Sequence, residues 1–230
     1  MVKQKNNMFI VSIVCILIIA LIFSGCLEEN NKEEEKNGGD KTYKKGVNLL
    51  KDPGFEDIKS IVQETWGMAG YTTTNHTYIY YNNEFQGAKI ENNTFIFHNG
   101  IKYNGSMSAY IKGVDIYNES VISNWNQKII DTSIIPYGED LILSCWIKTV
   151  DAGDVILMIQ CWNSTEINFK NLIKYQSSTS YGKINGTIIW EKYSIKLVDV
   201  PGETKAITVR LGLTGTGEVW FDDVELYSIS

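Results

Sequence analysis

Short runs of alternating apolar and polar residues, each ended by turn residues, dominate the chain from residue 77 onward. A period of two puts successive side chains on opposite faces of a strand. The pattern predicts strands over 77–81, 94–98, 106–112, 122–130, 140–149, 154–162, 188–199, 204–213 and 217–228. Between them lie turn signals such as Asn99-Gly100, Asn104-Gly105, Gly153-Asp154, Asn185-Gly186, Pro201-Gly202 and Gly215-Thr216-Gly217. No long 3.6-residue period follows residue 27. So many strands in roughly 180 residues predict an all-β fold, a β-sandwich jelly roll. The stretch 163–187 is polar and lacks alternation, and it is expected as a long loop over one end of the sandwich.

Two runs define an inner and an outer face. In 140–149 the set Leu141, Leu143, Cys145 and Ile147 is wholly apolar and is expected in the core, with Ile142, Ser144, Trp146 and Lys148 facing outward. In 154–162 the core set is Val155, Leu157, Ile159 and Cys161, and the outer set is Ile156, Met158, Gln160 and Trp162. Read as a hairpin around Asp151-Ala152-Gly153-Asp154, the two runs bring Cys145 and Cys161 to near-opposing positions. They are then either a cross-strand disulfide in an oxidising compartment or two small buried core residues.

In the last run, Val219–Leu226, strict alternation groups Trp220, Asp222, Val224 and Leu226 on one apolar face and Phe221, Asp223 and Glu225 on the other. A buried carboxylate without a partner is very costly. Asp222 must therefore be protonated, paired with a cation or bound to a metal, whereas Asp223 is expected as a solvated surface charge.

The N-terminus is of a different kind. Lys3 and Lys5 precede an apolar run from Met8 to Phe23, which ends in Ser24-Gly25-Cys26. A basic start, an apolar stretch and small residues before a cut site form a secretory signal. The run is short for a membrane-spanning helix of about 20 residues. Phe23-Ser24-Gly25-Cys26 resembles the lipobox of prokaryotic lipoproteins, which implies lipidation at Cys26; the alternative is an uncleaved signal anchor. Residues 27–46 are polar and charged and too poor in apolar side chains to offset the entropy of ordering. The expected organisation is a signal at 1–25, a lipidated Cys26 with a flexible tether to residue 46, and one β-sandwich domain over 47–230. Without residues 1–25, whose only charges are Lys3 and Lys5, the net charge of −6 becomes −8. This acidic balance, with Arg210 the only arginine, argues against a nucleic-acid partner.

Several segments, in order, resemble the extracellular carbohydrate-binding modules of families four, nine, sixteen and twenty-two, within the galactose-binding-like jelly rolls. They are Asn48-Leu49-Leu50-Lys51-Asp52-Pro53-Gly54-Phe55-Glu56, Gly105–Gly113, Trp125-Asn126-Gln127, Tyr137–Lys148, Trp190-Glu191-Lys192-Tyr193 and Gly217–Leu226. The resemblance implies a structural calcium ion with Glu56 and Asp222 among its ligands. Calcium takes oxygen ligands in irregular geometry, and its charge would keep Asp222 ionised. The resemblance also implies a sugar site, in which aromatic rings stack on pyranose faces and amides orient them. Trp125, Trp146 and Trp162 are the candidates for stacking, with Gln127 and Gln160 as polar neighbours. Trp66, Trp190 and Trp220 are expected in the core or at its edge.

Catalytic signatures are missing. His76 and His98 are the only histidines and fall in no metal-ligand or nucleophile spacing, and no phosphate-binding loop or nucleophile elbow occurs. Carboxylates abound, but no pair is marked out for glycoside hydrolysis. The chain is thus expected to be a non-catalytic module on the extracytoplasmic face of a membrane, held by a lipid anchor, with a polysaccharide or glycan as partner. The alternative is a cell-surface structural or protein-interaction lipoprotein without a sugar site.

Overall fold

Residues 140–162 form one unbroken strand, and the rest of the domain is arranged around it. The computed structural model describes residues 46–57, 59, 65–72, 88–90, 93–113, 115–116 and 119–229. The apolar run, Cys26, most of the charged tether and the strand expected over 77–81 lie outside these residues. The strands are β1 (Gly67–Thr72), β2 (Ala88–Ile90), β3 (Asn93–His98), β4 (Ser108–Gly113), β5 (Asp115–Ile116), β6 (Glu119–Ile129), β7 (Asp140–Trp162), β8 (Leu172–Ser177), β9 (Ile184–Leu197), β10 (Ala206–Thr214) and β11 (Gly217–Ile229).

The sheet runs in the order β1-β6-β10-β7-β11-β4-β3-β2, with β8 and β9 also pairing with β7. The second half of β7 pairs with β10 and β8, and the first half pairs with β11 and β9. The sheet curls at Asp151–Asp154, so the two halves of β7 belong to opposite layers of a β-sandwich. Leu141, Leu143, Cys145 and Ile147 from one half and Val155, Leu157, Ile159 and Cys161 from the other join a single buried cluster, as their alternation predicts. Across the layers, the Trp125 indole N–H of β6 donates to the Tyr110 carbonyl of β4 at 3.3 Å. The fold is a jelly-roll sandwich.

Three sequence expectations are corrected. First, Cys145 and Cys161 do not face each other across a hairpin, because 140–162 is one strand that turns at Asp151–Asp154 from one layer into the other. Both cysteines are buried free thiols, and burial pushes the Cys161 thiol up to about 11. Second, the polar stretch 163–187 contains β8 and two short 3-10 turns, Phe169–Asn171 and Ser178–Tyr181. Third, β11 does not alternate strictly. Its register against β7 shifts between Asp222 and Glu225, and Asp223 takes a φ of 44°. This β-bulge adds one residue and moves everything after it to the other face. Val219 and Phe221 therefore join the core before the bulge, and Val224 and Leu226 join it afterwards. Trp220 and Asp222 occupy the opposite face, where Trp220 packs against Tyr110 and His98. Asp222 is buried on the outside of the sheet, beneath a loop.

The corner depends on close backbone approach. Gly217 has a φ of 96°, and a Cβ there would collide with the carbonyl oxygen of Asp151. We predict that Gly217→Ala lowers unfolding free energy by about 1–3 kcal/mol in denaturant titration, the usual cost of a strained backbone position. Gly202→Ala, where no atom lies within 4 Å, should leave the midpoint in place. Equal midpoints for the two variants would show that the corner tolerates a side chain.

Candidate functional site

Asp222 and Glu56 grip the same loop, Tyr103–Met107, from two sides. Asp222 Oδ2 accepts the backbone N–H groups of Tyr103 at 2.8 Å and Asn104 at 3.0 Å, and its Oδ1 accepts that of Asp223 at 2.8 Å. Glu56 Oε1 accepts the N–H groups of Ser106 at 2.8 Å and Met107 at 3.2 Å. Gly105, at the loop's centre, takes a φ of 58°, and any Cβ there would strike Glu56 Oε1. Asp52 supports this arrangement, because its Oδ1 accepts the Glu56 N–H at 2.8 Å and its carbonyl accepts the Trp66 indole N–H at 3.0 Å. Asp222 thus meets the cost of burial with three amide donors. Burial still pushes its carboxyl above the ordinary range, aided by the charge of Asp223, while the amides of Asn104, Tyr103 and Asp223 pull it down.

The expected ligand pair, Glu56 and Asp222, is brought to one loop, but the two carboxylates differ in access. Asp222 is sealed from solvent, whereas Glu56 is exposed and Asp223 is half-buried. Glu56 and Asp223 converge on Gly54. A Cβ built there would lie 3.9 Å from Glu56 Oε1 and 3.8 Å from Asp223 Oδ1. Asp223 also accepts the Asn104 side-chain amide at 3.3 Å. It belongs to this corner, not to open surface as the sequence reading expected. Among the described residues no group of three or more His, Cys, Asp or Glu is placed to hold a metal.

The loop also positions a ring. Tyr103 stacks on Trp146 with centroids 3.8 Å apart and planes 14° from parallel, and Trp190 meets it edge-on at 6.0 Å. Trp146 is half-exposed on the outer face of β7, as alternation predicts. Its outer neighbours include Lys192, which pairs with Glu225 at 3.0 Å. Trp190 is half-exposed too, unlike the buried Trp66 and Trp220 with which the sequence grouped it.

The other expected sugar contacts are corrected. Trp125 and Gln127 lie on the inner face of β6 and are buried. The Gln127 amide closes on the backbone of Lys51, accepting its N–H at 2.7 Å and donating to its carbonyl at 2.9 Å. Trp162 and Gln160 do sit on the outer face, yet both are buried and joined through Thr208. The Trp162 indole N–H donates to the Thr208 hydroxyl at 2.9 Å, and that hydroxyl donates to Gln160 Oε1 at 3.1 Å. None of these four presents an open ring or amide to a ligand.

A polar surface missed by the sequence reading runs across the outer face of β1, β6, β10, β7 and β8. Strand register aligns Gly67, Asn126, Arg210, Met158 and Ser177 in one row. Ala69, Asn124, Gly212 and Ile156 form the next row, and Lys128, Thr208, Gln160 and Tyr175 flank the first on its other side. Glycine at 67 and 212 keeps the floor low beside Asn126 and Asn124. Arg210, the chain's only arginine, is half-buried in mid-sheet, and among the described residues no carboxylate pairs with it. One row away, Asn124 Oδ1 is buried without a hydrogen-bond partner, although its amide nitrogen donates to the Ala69 carbonyl at 3.3 Å. Tyr175, 46% exposed, stands at the edge. The signal available in the sequence was the placement of the lone arginine among apolar alternating positions.

Comparison with known proteins concerns the fold alone. No family model matches the chain, and no match is found among curated proteins. Among solved structures, the chain is similar to the enzymatically active domain of tailspike protein 4 of bacteriophage CBA120, with a TM-score of 0.51 and 15% identity over 80% of this chain. It spans only 22% of that tailspike chain. It is also similar to a family 61 carbohydrate-binding module solved in complex with β-1,4-galactotriose, with a TM-score of 0.46 and 15% identity, covering 80% of this chain and 99% of the module. A third similar structure is the first family 22 xylan-binding domain of Xyn10C from Paenibacillus barcinonensis, with a TM-score of 0.45 and 12% identity, covering 81% of this chain and 97% of that one. The jelly roll described above is thus shared in fold with the tailspike domain.

Proposed function

We propose that the chain is a non-catalytic, membrane-tethered module that binds a polysaccharide or glycan across the outer face of β6, β10 and the second half of β7. The observations that carry this reading are Arg210, half-buried in mid-sheet with no carboxylate partner among the described residues, and Asn124 Oδ1, buried without a hydrogen-bond partner. Leaving such groups in a low-dielectric surface is unfavourable unless a ligand or water satisfies them. A run of sugar hydroxyls supplies both donors and acceptors at the spacing of successive strands. Asn126 offers further hydrogen bonds, Met158 an apolar floor, and Tyr175 a ring at the edge. The anchor at Cys26 keeps the module at the extracytoplasmic face of its membrane.

We propose also a structural calcium ion beside Gly54, a reading supported by the nearness of Glu56 Oε1 and Asp223 Oδ1 to that residue. Glu56 and Asp223 would hold it, and Asp222, out of reach of solvent, would fix the Tyr103–Met107 loop that frames the site. The ion would supply charge neutralisation where two carboxylates meet, joining the first described segment of the domain to its last strand.

For the glycan reading, an array of polysaccharides probed with the calcium-loaded protein should give binding that Arg210→Ala weakens about tenfold or more, the worth of a charged hydrogen bond. Its melting curve should match that of the unchanged protein. Folded protein that binds no glycan would overturn the reading in favour of a structural or protein-interaction lipoprotein. For the metal, chelation should lower the melting temperature, and Asp223→Ala should abolish the response. Asp222→Asn should destabilise the domain by about 1–3 kcal/mol with or without calcium, because an amide nitrogen would then face a backbone donor. A melting curve insensitive to chelation would contradict the calcium site.

A further inference from the structure

Both ends of β7 lie at the same end of the sandwich, because the strand bends back at Asp151–Asp154. Backbone bonds knit the loops there together. Gly138 N–H donates to the Val200 carbonyl at 2.9 Å, Val200 N–H to that of Glu139 at 2.9 Å, and Lys205 N–H to that of Trp162 at 2.7 Å. The Tyr137 hydroxyl donates to the Thr204 carbonyl at 3.1 Å, and Lys174 Nζ to that of Asp199 at 2.8 Å. The 130–139 and 198–205 loops are thus tied to one another and to the strand ends, and together with the 163–171 loop they expose large apolar side chains to solvent. Phe169 is 72% exposed, and Ile130, Ile134, Tyr137 and Val198 are exposed beside it in the same three loops. The N-terminal segment arrives at this end too, because Gly46 N–H donates to the carbonyl of Ser228, next to the last residue of β11. Val47, the following residue, is 84% exposed.

From this placement we infer that the loop end formed by residues 130–139, 163–171 and 198–205 rests on a lipid bilayer, its apolar tips inserted at the level of the headgroups. The inference rests on the anchor reading above. Solvent-exposed apolar side chains gathered on neighbouring loops mark an interaction surface, and here they surround the point where the tether enters. Nineteen residues, 27–45, separate Gly46 from Cys26 in sequence. So short a link holds this end at a high effective concentration next to the bilayer, and a contact too weak to act alone becomes occupied. Phe and Tyr with aliphatic neighbours suit the boundary between headgroups and acyl chains. Lys128, Lys170 and Lys205 stand exposed around the tips, where their stems lie along apolar surface and their ammonium groups reach phosphates. Resting on this end turns the Asp151–Asp154 corner away from the membrane and leaves the Arg210 face free at the side.

The test uses the full chain in vesicles of phosphatidylcholine and phosphatidylglycerol that contain a lipid with a photoactivatable acyl chain. Flotation first reports the anchor, with Cys26→Ser as the comparison. After illumination, mass spectrometry should find lipid adducts on peptides containing Ile134, Phe169 and Val198 at about tenfold the level on those containing Ile189, a still more exposed residue near the opposite end. The double variant Ile134→Ser with Phe169→Ser should float as before, melt as before and lose most of those adducts. A chain that floats but shows adducts evenly spread or absent from this end would overturn the inference and leave the anchor standing. Cross-links between copies at these loops would overturn it in favour of a self-association face. A chain that does not float would overturn the anchor and the inference together.

Discussion

The passage of one strand through both layers of the sandwich is the constraint on which the rest of the domain depends. β7 supplies core residues to both sheets, pairs with four other strands and keeps the same inner parity on either side of its bend, where alternation lapses over Val150–Asp154. Because the inner set before the corner and the inner set after it have the same parity, the bend folds one apolar stripe onto itself. Burial of that stripe from both sides is the main stabilising term, at roughly 25 cal/mol per Å² of apolar surface. The corner also decides geography. It gathers the loops of one end beside the entering N-terminal segment, and it sends the two outer faces in different directions.

Those outer faces are chemically distinct. The face of β11, the first half of β7 and β9 is capped by the loop that Asp222 and Glu56 hold, and Tyr103 covers Trp146. Tyr103 stays exposed there, and Trp146 and Trp190 stay half-exposed. Among the described residues, the face of β6, β10 and the second half of β7 keeps Arg210 without a carboxylate and Asn124 Oδ1 without a hydrogen-bond partner. A carboxylate that looks functional in sequence is here a fixture of the backbone, and an arginine with no motif around it is the group left facing out.

Much of the fold was legible in the sequence because alternation reports burial directly. The inner set Leu141, Leu143, Cys145 and Ile147 and its counterpart Val155, Leu157, Ile159 and Cys161 are buried as read. Legibility failed wherever tertiary context decided. The bulge at Asp223 leaves no clear local signal, so Asp222 was assigned to the core face when it lies on the other. Asp151–Asp154 has the composition of a hairpin turn, and only pairing with β9 and β10 on either side makes it a bend. Trp162 and Gln160 were placed on the correct face, but alternation does not tell which outward residues are covered by neighbours. Gln127 was misread because a polar side chain on the inner face found a backbone partner in Lys51. Of the candidate site, the Glu56–Asp222 association was legible only through the family resemblance, and the rows around Arg210 only once strand order was known.

The most direct test of the account is an amide chemical-shift titration of the folded, calcium-loaded domain with an oligosaccharide that it binds. The account predicts shifts concentrated on residues 124–128, 156–160 and 208–212, with Tyr103, Trp146 and Trp190 unmoved. Shifts centred on Tyr103 and Trp146 instead, with the Arg210 rows silent, would contradict it.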